Sequence, residues 1–264
     1  MTSLHALVLG LVQGATEFLP VSSSGHLILV PWLFGWQDQG LAFDAATHLG
    51  TGLALLVYFA GELWRLASGL LEGRPADRRL AVAIVVGTIP AGIAGVALQH
   101  VVERELRSVT VIAVSTLVWA LVLWWADRRA ARNSVHDLHE VGIGRALVIG
   151  LAQPLALIPG TSRSGITLTA GLFSGLDRAT AARFAFLLGL PITMAAGLLE
   201  TVSLLRHGVA GIGLAALTIG IGTSFVAGLA AIWFLVQYLQ RRTLLVFVVY
   251  RIALGLLILW VSRG

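Results

Sequence analysis

The feature that most constrains this chain is an internal repeat. Residues 6–13 read ALVLGLVQ, and 140 positions later residues 146–153 read ALVIGLAQ, identical at six of eight positions. The correspondence continues without a gap into two small-polar clusters. Ser22, Ser24 and Gly25 of VSSSGH fall on Ser162, Ser164 and Gly165 of TSRSG, and Ser23 falls on Arg163. A duplication whose polar residues interrupt apolar sequence marks a membrane protein built from two structural repeats, with its site where they join.

The membrane assignment rests on composition. Of 264 residues, 57% are hydrophobic and 12% charged, and the mean hydropathy of +0.89 lies outside the range of soluble domains. Crossing the hydrocarbon layer takes about 20 apolar residues, and six such runs are found, near 41–60, 80–98, 109–126, 183–204, 211–236 and 244–261. The first 36 residues do not read as a signal peptide, because a positive n-region is missing and Gln13 and Glu17 interrupt the apolar stretch.

Charge placement excludes one function class and orients the chain. All 18 basic residues are arginine and the net charge is +5, yet the arginines sit in short loops between spans, which is an orientation signal and not a nucleic-acid surface. Loop 61–79 carries Arg65, Arg74, Arg78 and Arg79, and loop 127–145 carries Arg128, Arg129, Arg132 and Arg145. The 237–243 turn carries Arg241 and Arg242. All three read as cytoplasmic, and the 99–108 loop, where Glu103 and Glu105 offset Arg104 and Arg107, falls on the other side. There are no cysteines, so disulfides and thiolate metal sites are ruled out.

The duplicated stretches do not read as simple spans. Segments 4–36 and 146–180 are each broken by proline, glycine and serine into pieces too short to cross, which predicts a re-entrant helix–loop–helix with its irregular backbone buried in protein or facing a wet cavity. Three spans separate the copies, and an odd number of crossings inverts the second. The predicted fold is therefore an all-α polytopic membrane protein of two inverted-topology repeats, with six full transmembrane helices plus two re-entrant pairs. Repeat one covers about 1–126 and repeat two about 146–264, joined by a cytoplasmic linker at about 127–145. Reading the duplicated segments as poor ordinary spans would give eight crossings instead.

Several polar residues are out of place in such a chain. Gln13 and Glu17 are four apart and share a helix face; a carboxylate at membrane depth costs several kcal/mol unless paired, hydrated or bound to a cation. Gly10 and Gly14 on the same helix read as packing positions. The loop from Pro20 to His26 offers three hydroxyls, a glycine and an imidazole, although serines at a helix start also serve as caps. The companion loop PGTSRSG, with Thr161, Ser162, Arg163, Ser164 and Gly165, surrounds a guanidinium with hydroxyls and backbone N–H groups and suits a phosphate. An ion pair between Arg163 and Glu17 or Asp44 is the structural alternative. Asp44 and His48 could extend the site, or Asp44 could join Glu17 on a divalent cation, or cap its span. Glu200 and Arg251 read as interfacial or interhelical pairs, and the tryptophans as anchors near span ends.

LVQGATEFLPVSSSGH and LAQPLALIPGTSRSG, with FDAATHLGTGLAL between them, closely resemble the undecaprenyl-diphosphatase family, also called the bacitracin-resistance family. The similarity covers essentially the whole chain. It implies an enzyme of the bacterial inner membrane that removes the terminal phosphate of undecaprenyl diphosphate, recycling the lipid carrier of cell-wall synthesis. It also implies a divalent cation, Mg2+ or Ca2+, and a site opening to the periplasm. By position, Gln13 and Glu17 stand in the family's acidic-helix motif; Ser23 and His26, with Ser22 and Ser24 beside them, stand in its first loop; Ser162, Arg163 and Ser164 match its second. His48 stands where some members have glutamine, which argues against a catalytic role for it.

Two functions fit these residues. In a lipid-diphosphate phosphohydrolase, Arg163 clamps the diphosphate, a cation held partly by Glu17 neutralises charge, and Ser23 or a water attacks with His26 or Glu17 as base. In a transporter or flippase of a phosphorylated polyprenyl lipid, the same groups bind without cleaving. Besides a polyprenyl diphosphate, the implied partners are membrane lipids and no nucleic acid; a homodimer is left open.

Overall fold

The computed structural model describes residues 1–106, 108–130, 134–207 and 213–262. Arg107 and Arg132, and residues 211 and 212 of one expected span, lie outside them. Among the described residues the secondary structure is helical throughout, apart from one isolated bridge between Val135 and Leu176.

The first duplicated stretch forms α1, Ser3–Phe18, and α2, Ser23–Phe34. Thr2 caps α1, its hydroxyl accepting from the His5 N–H at 3.2 Å, and α2 ends at Gly35, whose φ of 63° closes the last turn. Then come α3 (Leu41–Tyr58), α4 (Ala60–Leu71), α5 (Pro75–Glu105) and α6 (Val109–Arg129). The second duplicated stretch gives α7, Ile143–Ala152, a 3-10 turn at Gln153–Leu157, and α8, Arg163–Phe173. It is followed by α9 (Arg178–His207), α10 (Leu214–Leu239) and α11 (Leu245–Val261).

The chain is a multi-pass membrane protein. Four helices are each long and apolar enough to cross: Pro75–Leu98 of α5, then α6, Arg178–Leu204 of α9, and α10. Two of the six expected spans differ from simple crossings. The run at 41–60 bends by 67° at Phe59 into α4, and counts as a fifth span only if the bent pair is one. The run at 244–261 is α11, whose 17 residues rise about 26 Å at 1.5 Å each, short of a hydrocarbon layer of about 30 Å. The expected 99–108 loop is mostly helix, because nothing between Gly95 and Glu105 breaks α5.

Helix packing crosses between the halves of the chain. Helix α1 lies along α10, α7 lies along α5, α3 packs on both α9 and α10, and α6 packs on α8 and α11. Without a hydrophobic driving force between helices in lipid, close approach of small residues holds such contacts. A Cβ on Gly10 would come 2.5 Å from the Gly220 carbonyl oxygen, and one on Gly150 would come 2.2 Å from that of Gly87. These are matched contacts, since Gly10 and Gly150 occupy equivalent places in the duplicated words. Gly14 meets Ser224 and Gly228 of α10 in the same way, so the packing role read from the sequence holds. Beneath the loops, Phe18, Phe59 and Phe186 form an aromatic cluster with edge-on ring contacts at 5.4 and 6.4 Å.

Candidate active site

The two serine loops carry the same local backbone. Ser22 and Ser162, immediately before α2 and α8, have φ of 74° and 72°, and no other non-glycine residue has positive φ among those described. Such backbone costs of order 1 kcal/mol or more at each residue and persists only where the surroundings enforce it. In each loop the next-but-one serine turns back on the strained one: Ser22 and Ser24 hydroxyls lie 3.2 Å apart, as do those of Ser162 and Ser164. The Ser162 hydroxyl also accepts from the Gly165 N–H at 3.1 Å, capping α8.

Arg251 ties the loops together. It is fully buried, and its guanidinium donates to the carbonyls of Pro20 at 3.2 Å, Gly160 at 2.9 Å, Thr161 at 3.0 Å and Thr116 at 3.3 Å. Donors in a planar fork suit several diverging acceptors, and here they join one carbonyl of the first loop to two of the second. Ser164 adds a direct link, its hydroxyl donating to the Leu19 carbonyl at 3.0 Å. Thr161 bonds Ser115 of α6 at 2.9 Å.

Glu17 is the centre of the site. It is 6% exposed, and its Oε1 accepts from Arg163 Nη2 at 2.5 Å. Its Oε2 accepts from Ser23 Oγ at 2.6 Å and Gln13 Nε2 at 3.1 Å, and His48 Nε2 lies 3.5 Å from the same oxygen. Arg163 is steadied on its other side by Thr193 Oγ1 at 2.5 Å and the Gly189 carbonyl at 3.0 Å, both on α9. The ion pair named as the structural alternative is thus present, but it borders a cavity of about 250 Å³. Glu17, Ser22, Ser23, Ser24, Ser162, Arg163, His48, Thr193 and Gln153 line that cavity, with an apolar wall of Ala91, Gly95, Ile192 and Ala196.

Other expected site residues lie elsewhere. His26 is not turned to Ser23, although three residues apart lie on the same general face of α2; its ring is engaged on the side of Tyr250. There Nδ1 donates to the Ser22 carbonyl at 2.7 Å and Nε2 faces the Tyr250 hydroxyl at 2.6 Å. Because a carbonyl only accepts, the neutral ring carries its proton on Nδ1, and Nε2 accepts from Tyr250. The partner of Ser23 is Glu17. Asp44 accepts from Gln39 Nε2 at 2.5 Å and is absent from the cavity wall; one turn on, His48, argued against from sequence, is in it. Gln13, Thr161, Ser164 and Gly165 stand behind the wall, supporting Glu17 and the loops.

Sequence reasoning also missed Thr193 and Gln153, and it read Arg251 as an interfacial or interhelical pair without placing it at the junction of the two loops. Arg251 carried a signal, a lone arginine inside an apolar run. Gln153 carried another, as the repeat of Gln13. Thr193 carried none, since hydroxyls are common in such helices.

A family model described as "Bacitracin resistance protein BacA" matches residues 6–257. An undecaprenyl-diphosphatase of Alteromonas mediterranea is 45% identical over 265 residues, covering 98% of each chain. An undecaprenyl-diphosphatase 2 of Stutzerimonas stutzeri is 47% identical over 270 residues and an undecaprenyl-diphosphatase of Moorella thermoacetica 46% identical over 267, each covering 100% of both chains.

Proposed function

The chain belongs to the bacitracin resistance protein family and is a membrane phosphatase, and we propose that the cavity between its duplicated loops is where undecaprenyl diphosphate loses its terminal phosphate. The observation that carries the assignment to this cavity is the contact of Ser23 Oγ with Glu17 Oε2 at 2.6 Å, beside an arginine held by the same carboxylate.

In the proposed reaction the Arg163 fork holds the diphosphate oxygens as the carboxylate of Glu17 turns to its second task. Ser23 Oγ gives its proton to Glu17 Oε2 and bonds the terminal phosphorus. The bond from that phosphorus to the bridging oxygen breaks, and undecaprenyl phosphate leaves with that oxygen. Water then cleaves the phosphoserine, releasing inorganic phosphate and restoring the Ser23 hydroxyl. His26, locked between the Ser22 carbonyl and Tyr250, holds the loop and α11 together instead of acting as the base.

The residues present fit a divalent cation. Gln13 Oε1 is a buried acceptor without a hydrogen-bond partner, on the same helix face as Glu17. Among the described residues no three His, Asp or Glu side chains converge to hold a metal, so the donor set suits an ion that draws most of its ligands from a diphosphate and water, as Mg2+ does and Ca2+ can. Such an ion would be held by Glu17 and Gln13 and would neutralise charge on the phosphate oxygens.

The topology proposed for this activity is a pair of inverted repeats, about 1–126 and 146–264, with a linker near 127–145. The supports are the matched φ values of Ser22 and Ser162, the matched contacts of Gly10 with Gly220 and Gly150 with Gly87, and the exchange of packing partners. Helices α1 and α2, and α7 and α8, are then the re-entrant pairs of a six-span chain, with α3 and α11 as its bent and short members. With the arginine-rich loops cytoplasmic, the protein sits in the bacterial inner membrane with its cavity open to the periplasm.

The test is phosphate release from detergent-solubilised protein given undecaprenyl diphosphate and Mg2+. Turnover is expected for the wild type, with a labelled phosphoryl-enzyme trapped by rapid acid quench, and neither in Ser23→Ala. Binding without release would overturn the phosphatase in favour of transport. Turnover by Ser23→Ala would overturn the serine route in favour of water.

A further inference from the structure

We propose that Gln153 is a substrate-binding residue, whose side-chain amide hydrogen-bonds the diphosphate headgroup. The inference rests on the phosphatase reading of the cavity. Gln153 is 2% exposed, lines the cavity with Ser23 and Arg163, and neither its Nε2 nor its Oε1 has a hydrogen-bond partner. Among the described glutamines Gln13 and Gln39 lack a partner only at Oε1.

The duplication shows why this amide is idle. Its counterpart Gln13 gives its Nε2 to Glu17 at 3.1 Å. The position 140 residues after Glu17 is Leu157, so the second copy keeps the amide without the carboxylate that occupied it. An amide removed from water without a partner is a net cost to the fold, and leucine or methionine would fill the same space without it. The backbone that carries this side chain is firmly placed: the Gln153 N–H closes the end of α7 on Ile149 and Gly150, and Gly150 is seated directly on Gly87. A phosphate offers acceptors alone, so Nε2 would donate to a non-bridging oxygen. Oε1 is left for a water or cation that accompanies the diphosphate.

The experiment compares wild type, Gln153→Leu and Gln153→Glu in phosphate release, and in binding of a non-hydrolysable methylene analogue of a polyprenyl diphosphate. A hydrogen bond to a charged group predicts that Gln153→Leu lowers kcat/KM about 10- to 100-fold and weakens analogue binding by a similar factor. Its thermal midpoint without ligand should be unchanged or higher, because the lost amide had no partner. Gln153→Glu should lose more, since a carboxylate repels the diphosphate; if the leucine variant does not fold, Gln153→Met takes its place. A kcat/KM and an analogue affinity within threefold of wild type would overturn the proposal. So would a fall in midpoint large enough to account for the loss of activity. Failure of the phosphatase reading looks different, because the wild type itself would then bind the analogue yet release no phosphate, and the affinity comparison would still decide Gln153.

Discussion

Glu17→Gln is the most informative single change, because it alters one atom of the group on which four side chains converge. At one oxygen Arg163 donates at 2.5 Å; at the other Ser23 donates at 2.6 Å and Gln13 at 3.1 Å, with His48 at 3.5 Å. An amide keeps the shape, but whichever way it is turned its NH2 opposes donors, and the Arg163 charge loses its counter-ion. Breaking a buried pair by removing one partner costs about 3–5 kcal/mol. Arg163 keeps Thr193 and the Gly189 carbonyl, and its side chain is 20% exposed, which places this variant at the low end, about 3 kcal/mol. Loss of the proton acceptor for Ser23 should lower turnover by about 10²- to 10⁴-fold and remove most of the response to Mg2+. The assay is phosphate release across a Mg2+ titration, with thermal unfolding in the same detergent. Adding Arg163→Gln to Glu17→Gln should cost less stability than the sum of the single changes, because no unpaired charge remains. Wild-type turnover with an unchanged Mg2+ response would refute the role of Glu17, and strict additivity would refute the pair.

Arg163→Lys should lower turnover at least tenfold although the charge is kept, because one ammonium does not reproduce a fork that reaches Glu17 on one side and Thr193 with Gly189 on the other; near-normal kcat/KM would remove the clamp from the mechanism. Arg251→Met should lower both the thermal midpoint and turnover, since four carbonyls of α6 and the two loops lose their shared donor; a variant with normal melting and activity would show that the loops hold without it. Gly10→Val should destabilise by at least about 1–3 kcal/mol, the range for overpacking, because its new Cβ meets the Gly220 backbone of α10 as well as the Thr223 hydroxyl, and the backbone is not free to turn aside. A melt within a degree of wild type would contradict the packing.

What the sequence determined by itself was whatever depends on composition and on order along the chain. Hydropathy placed the chain in a membrane, and the repeated words picked out both loops that border the cavity, because a duplication is visible without knowing where it folds. The pairing of Gln13 with Glu17 was legible too, since four residues apart is one helix face. The tertiary structure decided everything set by distance between chain-remote groups. It turned His26 to Tyr250, 224 positions away, and brought His48 in while leaving Asp44 outside the cavity wall. It bent the first long apolar run at Phe59, and it made Arg251 the link between loops 140 residues apart. The physical reason is that helical spacing fixes only the side on which a residue stands. Which neighbour stands opposite is settled by how closely the glycines of α1 and α7 let them approach α10 and α5, and a single sequence does not record that approach.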